Sequence, residues 1–449
     1  MNQRPSGVAA FVLVWVGQLI SMLGSGLTSF AVLYWAYELS RSATSLSLLA
    51  LCSFVPSLLI GPFAGALVDR WNRKLVMMFS DIGAGLSTIL LLLLYTTGAL
   101  EVWHLYVANA FAGVFGSFQW PAYMAAMSMM VPPKHYSRAN GMISLASSAM
   151  LILSPILAGV LLSWLDMGWI LIIDIATFLI AVGLLLAVHI PNPTPSAEGR
   201  QHTGPLWQEA MHGFRYVMNR PGLLGLQLVF LLMNLFNNLG QPVRQTMVLI
   251  RTNSDPTILA SVNSALAFGS LAGSLLMTVW AGFHRKVNGV LLGMILQGVL
   301  GSLVFGLGRA PGVWMTAAFL LQLFMVMLQT SANAIWQSQV PLDLQGRVMA
   351  TRRLIAHSAI PIGMGLSGPL ADRVFEPAMA PGGALAPLFG GLVGTGPGSG
   401  MALMLVLAGL LSALAGLGGF LYRPVRELEG ALPARQELPV EARAETGGG

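Results

Sequence analysis

Charge is what this sequence has least of. It holds 23 Lys and Arg and 17 Asp and Glu in 449 residues, 9% charged in all, where soluble proteins carry about a quarter. A water-soluble globular domain is excluded on that ground. Cysteine is nearly missing as well: Cys52 stands alone, so no internal disulfide can form and dithiol redox chemistry is not indicated. No GxxxxGK[ST] phosphate loop occurs, so the chain does not carry its own nucleotide motor. Among so few charged residues there is no metal-ligand cluster and no nucleophile constellation, which argues against an enzyme and against a cofactor.

What is abundant is apolar. Hydrophobic residues make up 55% of the chain, and they gather in runs long enough to span a bilayer. Spanning by helix needs roughly 20 mostly apolar residues, because a backbone group unpaired in lipid costs several kcal/mol and an α-helix pairs its own. Twelve such runs lie near 8–36, 46–68, 75–97, 102–130, 141–165, 168–190, 222–250, 256–282, 287–308, 312–339, 350–372 and 399–421. The chain therefore reads as an all-α membrane protein of twelve transmembrane helices in two six-helix halves. The first run is too long for a secretory signal and lacks a cleavage site.

The basic residues follow the membrane, not a nucleic acid. With the amino terminus placed in the cytoplasm, 18 of the 23 Lys and Arg fall on cytoplasmic loops and the tail, leaving Arg41, Arg244, Arg251, Arg309 and Arg373. The positive-inside rule then predicts a multi-pass inner-membrane protein with both termini cytoplasmic.

The longest polar segment divides the chain. Residues 1–190 form the first six-helix half and 222–421 the second, joined by a linker over 191–221 and followed by a tail over 422–449 that reads as disordered. In the linker Trp207, Met211, Phe214 and Met218 recur at helical spacing opposite Gln208, Glu209, His212 and Arg215, which predicts an interfacial amphipathic helix. A shift of 209 residues carries Val131, Pro132, Arg138 and Gly159 onto Val340, Pro341, Arg347 and Gly368, as parallel six-helix repeats would. Residues 377–400 are rich in Gly and Pro and carry no charge; they read as a long extracellular loop, either a lid or a connector.

Between the second and third runs stands GALVDRWNRK, Gly65 to Lys74. Its Gly65, Asp69, Arg70, Arg73 and Lys74 resemble the loop signature of the major facilitator superfamily. That resemblance implies the major facilitator fold and places the hairpin on the cytoplasmic side as part of a gate. Gly17, Gln18, Ser21, Gly24 and Ser25 in the first span resemble the macrolide-efflux branch, which includes drug, siderophore and lysophospholipid exporters. Val131 to Asn140, Ser154 to Gly159, and Glu209 to Pro221 resemble it too. Two positions depart from the pattern: Asn72 stands where the hairpin commonly has Gly, a change a tight turn tolerates. Ser154 stands where antiporter relatives usually have Gly before Pro155, which weakens antiport as a reading of that motif.

The resemblance implies gating by Asp69, Arg70 and Arg73, with Arg138 and Arg347 as partners. Asp81 and Asp174 are the acids most embedded in spans. A charged Asp at a span centre costs about 2.5 to 3.5 kcal/mol, so each should be paired, hydrated or protonated. Asp81, two turns beyond Lys74, reads first as half of a structural ion pair; Asp174 is the better proton carrier; His357 could titrate near neutral pH. Asn234, Asn237, Asn238, Gln241 and Arg244 share the seventh span, and Gln322, Gln329, Asn333, Trp336 and Gln337 the tenth. Such polar faces line a wet cavity or glue helices together. In the superfamily, spans one, four, seven and ten line the central cavity, which adds Gln18, Asn109, Gln119 and Trp120.

The expectation is a secondary transporter that exports hydrophobic or amphipathic small molecules, macrolide-like drugs among them, by alternating access and proton antiport. Its partners are then the substrate, protons and the bilayer, with no nucleic acid and a monomeric chain. Export of an anionic siderophore or lysolipid-like metabolite stays open, as does a non-transporting sensor or assembly partner.

Overall fold

The computed structural model describes residues 7–132, 135–190, 214–280, 282–340 and 345–429. The first half holds α1 (Gly7–Ser40), α2 (Ala43–Arg70), α3 (Arg73–Thr96), α4 (Val102–Met130), α5 (Tyr136–Trp164) and α6 (Met167–Ala187). The second holds α7 (Pro221–Arg251), α8 (Pro256–Trp280), α9 (Lys286–Leu307), α10 (Pro311–Gln339), α11 (Gln345–Leu370) and α12 (Ser399–Leu421). Helix α9 contains a π-helical stretch, Gln297–Leu303, and α11 runs on through a π-helical turn, Ala371–Phe375. Among the described residues, eleven helices are long and apolar enough to cross a membrane. The twelfth, α4, is diluted by His104, Asn109, Gln119 and Pro121, and packs between α2 and α3.

The two halves repeat each other. In the first, α1 packs on α5 and α6, α4 on α2 and α3, and α3 on α6; in the second, α7 packs on α11 and α12, α10 on α8 and α9, and α9 on α12. Adding six to each label of the first set gives the second. The halves meet along two equivalent seams, α5 against α8 and α2 against α11. Gly159 and Gly368, the glycines matched by the 209-residue shift, sit at these two seams. A Cβ on Gly159 would overlap the Ala260 side chain, and one on Gly368 would overlap the Thr44 backbone. Each glycine lets two backbones approach where a side chain would part the halves.

Most of the expected linker helix, including Trp207 and Met211, lies outside the described residues; residues 214–218 are helical, with Phe214 and Met218 exposed and Val217 buried. The expected extracellular connector contains the helix Ala386–Val393, whose carboxyl end is held by Arg251 through the Val393 carbonyl at 3.1 Å. The tail is structured further than its composition predicts. Arg423–Arg426 is helical and Val425 is fully buried against Gly225. The Glu429 carboxylate accepts from the Lys286 N–H at 2.8 Å, so the start of the tail fills a groove and caps α9. Residues 430–449 lie outside the described part.

Candidate functional site

Asp81 on α3 and Asp174 on α6 are 7% and 5% exposed and line one cavity of about 250 Å³ inside the first half. The approach of α6 to α1 depends on Gly24, where a Cβ would overlap Thr177 and crowd the Asp174 carboxylate. Asp81 accepts from Gln18 Nε2 at 3.3 Å and from Gln119 Nε2 at 2.9 Å, and Gln119 also donates to Gln18 Oε1 at 2.8 Å. Asp174 accepts from the Thr88 hydroxyl at 2.9 Å. Ser21, Ser25 and Ser80 complete the polar wall, and no Lys, Arg or His lines it.

Sequence reasoning expected an ion pair at Asp81, and the structure corrects that: its partners are amides, and the carboxylate has no salt bridge among the described residues. Lys74 reaches away from it, donating to the Leu186 and Val188 carbonyls at 3.1 and 2.6 Å and satisfying the end of α6. Gln18 and Gln119, expected in a substrate cavity, are thereby bound to a carboxylate.

Among the described residues, polar contacts between the halves lie at the end of the bundle opposite the 65–74 hairpin. Asp372, on the π-helical turn after α11, accepts from the Ser42 hydroxyl at 2.5 Å, the Ala43 N–H at 3.1 Å, and the Thr44 N–H and hydroxyl at 2.8 and 2.7 Å. The Ala43 and Thr44 N–H groups are orphan donors of the first turn of α2, so a carboxylate from one half caps a helix of the other. Alongside, Ser254 accepts from the Tyr34 hydroxyl at 2.9 Å through its carbonyl and from Arg41 at 2.5 Å through its hydroxyl. The equivalent helix α8 is capped locally by Asp255, which accepts from the Thr257 N–H and hydroxyl and the Ile258 N–H. Burial pushes the Asp255 carboxyl up, but these hydrogen bonds outweigh it and hold the group below the usual carboxylate range.

Two further cavities lie near the seams. One of about 780 Å³ runs between α2 and α4 and is lined by Ser53, Ser57, Asn109 and Trp120, with Met364 from α11. Another of about 330 Å³ is walled by α5, α7, α8, α9 and α10 and holds Gln241, Arg244 and Gln322. The remaining expected amides scatter. Asn234 and Asn238 donate back to their own helix at Phe230 and Asn234, and the Asn237 Oδ1 is buried without a partner. Gln329 is half-buried. Asn333 accepts from Arg352 at 2.9 Å, and Trp336 is fully buried in a core cluster with Arg352 5.4 Å from its ring. The side chain of Gln337 lies outside the described ones.

The hairpin itself is described in part: the side chains of Asp69, Arg70 and Arg347 lie outside the described ones. Arg73 donates to the Ala125 carbonyl of α4 at 3.2 Å, while Arg138 and His357 are exposed. Asn72, in place of the Gly common in the hairpin, reads in sequence as a change that a tight turn tolerates. Its φ is −64°, and its side chain instead caps α3 by accepting from the N–H groups of Lys74 and Leu75. Asp372, Tyr34 and Ser254 were not anticipated from sequence; a sole signal, the lone acid among few charges near the end of span eleven, was available for Asp372.

The profile of the Major Facilitator Superfamily matches residues 14–364. Macrolide efflux protein A of Streptococcus pyogenes is 26% identical over 372 residues, covering 81% of this chain and 90% of that protein. The multidrug efflux pump Tap of Mycolicibacterium fortuitum is 25% identical over 372 residues, covering 80% and 89%. In solved structures, a bacterial homolog of the human lysosomal transporter Spinster, inward-facing and unoccupied, aligns over 96% of this chain and 100% of its own with a TM-score of 0.68 at 16% identity. A bacterial homologue of the iron transporter ferroportin aligns over 92% and 99% with a TM-score of 0.64 at 15% identity. These structural likenesses establish the fold.

Proposed function

The chain belongs to the Major Facilitator Superfamily, and from that premise we propose that it exports amphipathic small molecules, macrolide-like drugs among them, by alternating access in exchange for protons. It is a multi-pass membrane transporter with efflux pumps among its relatives. The observation that carries the coupling is the shared cavity of Asp81 and Asp174, whose neighbours are amides and hydroxyls with no cation. A carboxylate charge inside a span costs about 2.5 to 3.5 kcal/mol, and protonation removes it. Two hydrogen-bonded acids with no cation beside them among the described residues therefore favour the proton-loaded form whenever the cavity is cut off from water, and release a proton when water enters.

In this reading the positive-inside bias sets the hairpin end in the cytoplasm and the Asp372 end outside. The Asp372 cap is an outer latch that forms when the halves close and must break for outward release. The Asp69 hairpin holds the inner end in the same way, acting as a monomer. Reconstitution tests the proposal: proteoliposomes should accumulate labelled erythromycin under an imposed pH gradient. Movement that ignores the gradient would remove proton coupling, and no movement of any macrolide would reopen the substrate.

A further inference from the structure

Arg244 is 7% exposed on α7, and its Nη1 has no hydrogen-bond partner among the described residues. No acid lies within ion-pair distance of it there. The guanidinium folds back over Gly240, where a Cβ would stand 3.0 Å from Nη1, so the helix provides the room that the cation occupies. A buried, unpaired guanidinium is costly, because its attraction to water is lost and nothing replaces it. Arg cannot shed its proton to escape that cost.

The same residue lines the 330 Å³ cavity between the halves, whose wall includes Pro155 of α5 and Leu259 of α8, near the Gly159–Ala260 contact of that seam. The amides of Gln241, Gln245, Asn263 and Gln322 line the same cavity. The rest of the lining is apolar and includes Leu151, Val262, Leu266 and Phe305. One cation, several neutral hydrogen-bonding groups and an oily wall make a receptor for a single negative charge on an apolar body. Guanidinium binds carboxylate and phosphate through paired N–H donors, which gives such a site both affinity and orientation. The volume falls at the small end of ligand pockets, so it suits a compact molecule or one end of a larger one.

We infer that this cavity binds the acidic group of an amphipathic monoanion, with Arg244 as its counter-ion, so that organic acids are among the exported substrates. This rests on the export reading above and adds a substrate class to it. The walls come from both halves, with α5 on one side and α7 to α10 on the other, so bound acid would also bridge them. Arg244 then stays paired with the ligand while the site's exposure changes sides, and the guanidinium is neutralised only when the site is loaded.

Equilibrium binding of radiolabelled octanoate to the full chain in phosphatidylcholine nanodiscs tests this. Saturable binding is expected, competed by octanesulfonate and not by octanamide. Arg244→Gln should weaken it at least tenfold, and Arg244→Lys should restore part of it. Should Arg244→Gln fail to elute as a folded monodisperse protein, Asn263→Leu, which removes one amide and no charge, should weaken octanoate several-fold. Octanamide binding as tightly as octanoate, or full affinity in either folded variant, would overturn the site. So would discs containing phosphatidylglycerol that leave octanoate unbound, since the cavity would then hold a lipid headgroup. Absent octanoate binding with erythromycin efflux intact removes this inference alone. Intact octanoate binding with erythromycin efflux lost removes the export reading and keeps the site.

Discussion

Asp372 accepts a hydrogen bond from the Thr44 N–H at 2.8 Å and from its hydroxyl at 2.7 Å, across 328 residues of chain and across the boundary between the two halves. A helix start that usually finds its acceptor in the preceding residue here takes it from the other half as well as from Ser42. Closing this end of the bundle and capping α2 are thus one event.

Removing the carboxylate should therefore shift the closed–open balance at this end. Loss of an acidic cap costs about 1 kcal/mol, roughly fivefold in a two-state population. Spin labels at the exposed positions Leu39 and Leu388, in a Cys52→Ser background, should report a longer-distance population raised about fivefold by Asp372→Ala and less by Asp372→Asn. An unchanged distance distribution would show that the contact does not hold the halves.

The seam glycines make a matched pair of predictions. Gly159→Val and Gly368→Val should each cut transport by an order of magnitude or more, because Ala260 in one case and the Thr44 backbone in the other occupy the space. Gly61→Ala and Gly183→Ala meet nothing within 4 Å and should transport normally. Tolerance of valine at either seam would mean the halves do not need that approach.

At the hairpin, Asn72→Ala should lower stability by about 1 kcal/mol through loss of the α3 cap, measured by thermal unfolding in detergent. Asn72→Asp should retain the cap. With φ at −64° a glycine gains nothing from the left-handed region, so Asn72→Gly should not exceed the wild type. A more stable Asn72→Gly would show that the side-chain cap does not hold the start of α3.

Much of the architecture was legible because a bilayer demands about 20 apolar residues per crossing, and each such run left its mark. The 209-residue repeat was legible too, and it located Gly159 and Gly368 before their contacts were known. Asp81 and Asp174 stood out because charge inside a span is expensive. Their partners did not. A carboxylate served by Gln18 and Gln119 and one facing Lys74 look alike in sequence, because the choice depends on which way Lys74 turns. Asp372 was hidden for a similar reason: its partners, two backbone N–H groups and the Ser42 and Thr44 hydroxyls, lie in the other half, and no pattern local to span eleven announces them.

The proposed proton coupling places Asp81 and Asp174 as its acids, and one comparison in proteoliposomes tests it: gradient-driven accumulation of erythromycin against its exchange at equal pH. One proton per substrate across one pH unit can support about a tenfold concentration ratio. For Asp174→Asn and Asp81→Asn the prediction is accumulation no greater than without a gradient, with exchange still proceeding. Full gradient-driven accumulation in both variants would contradict it.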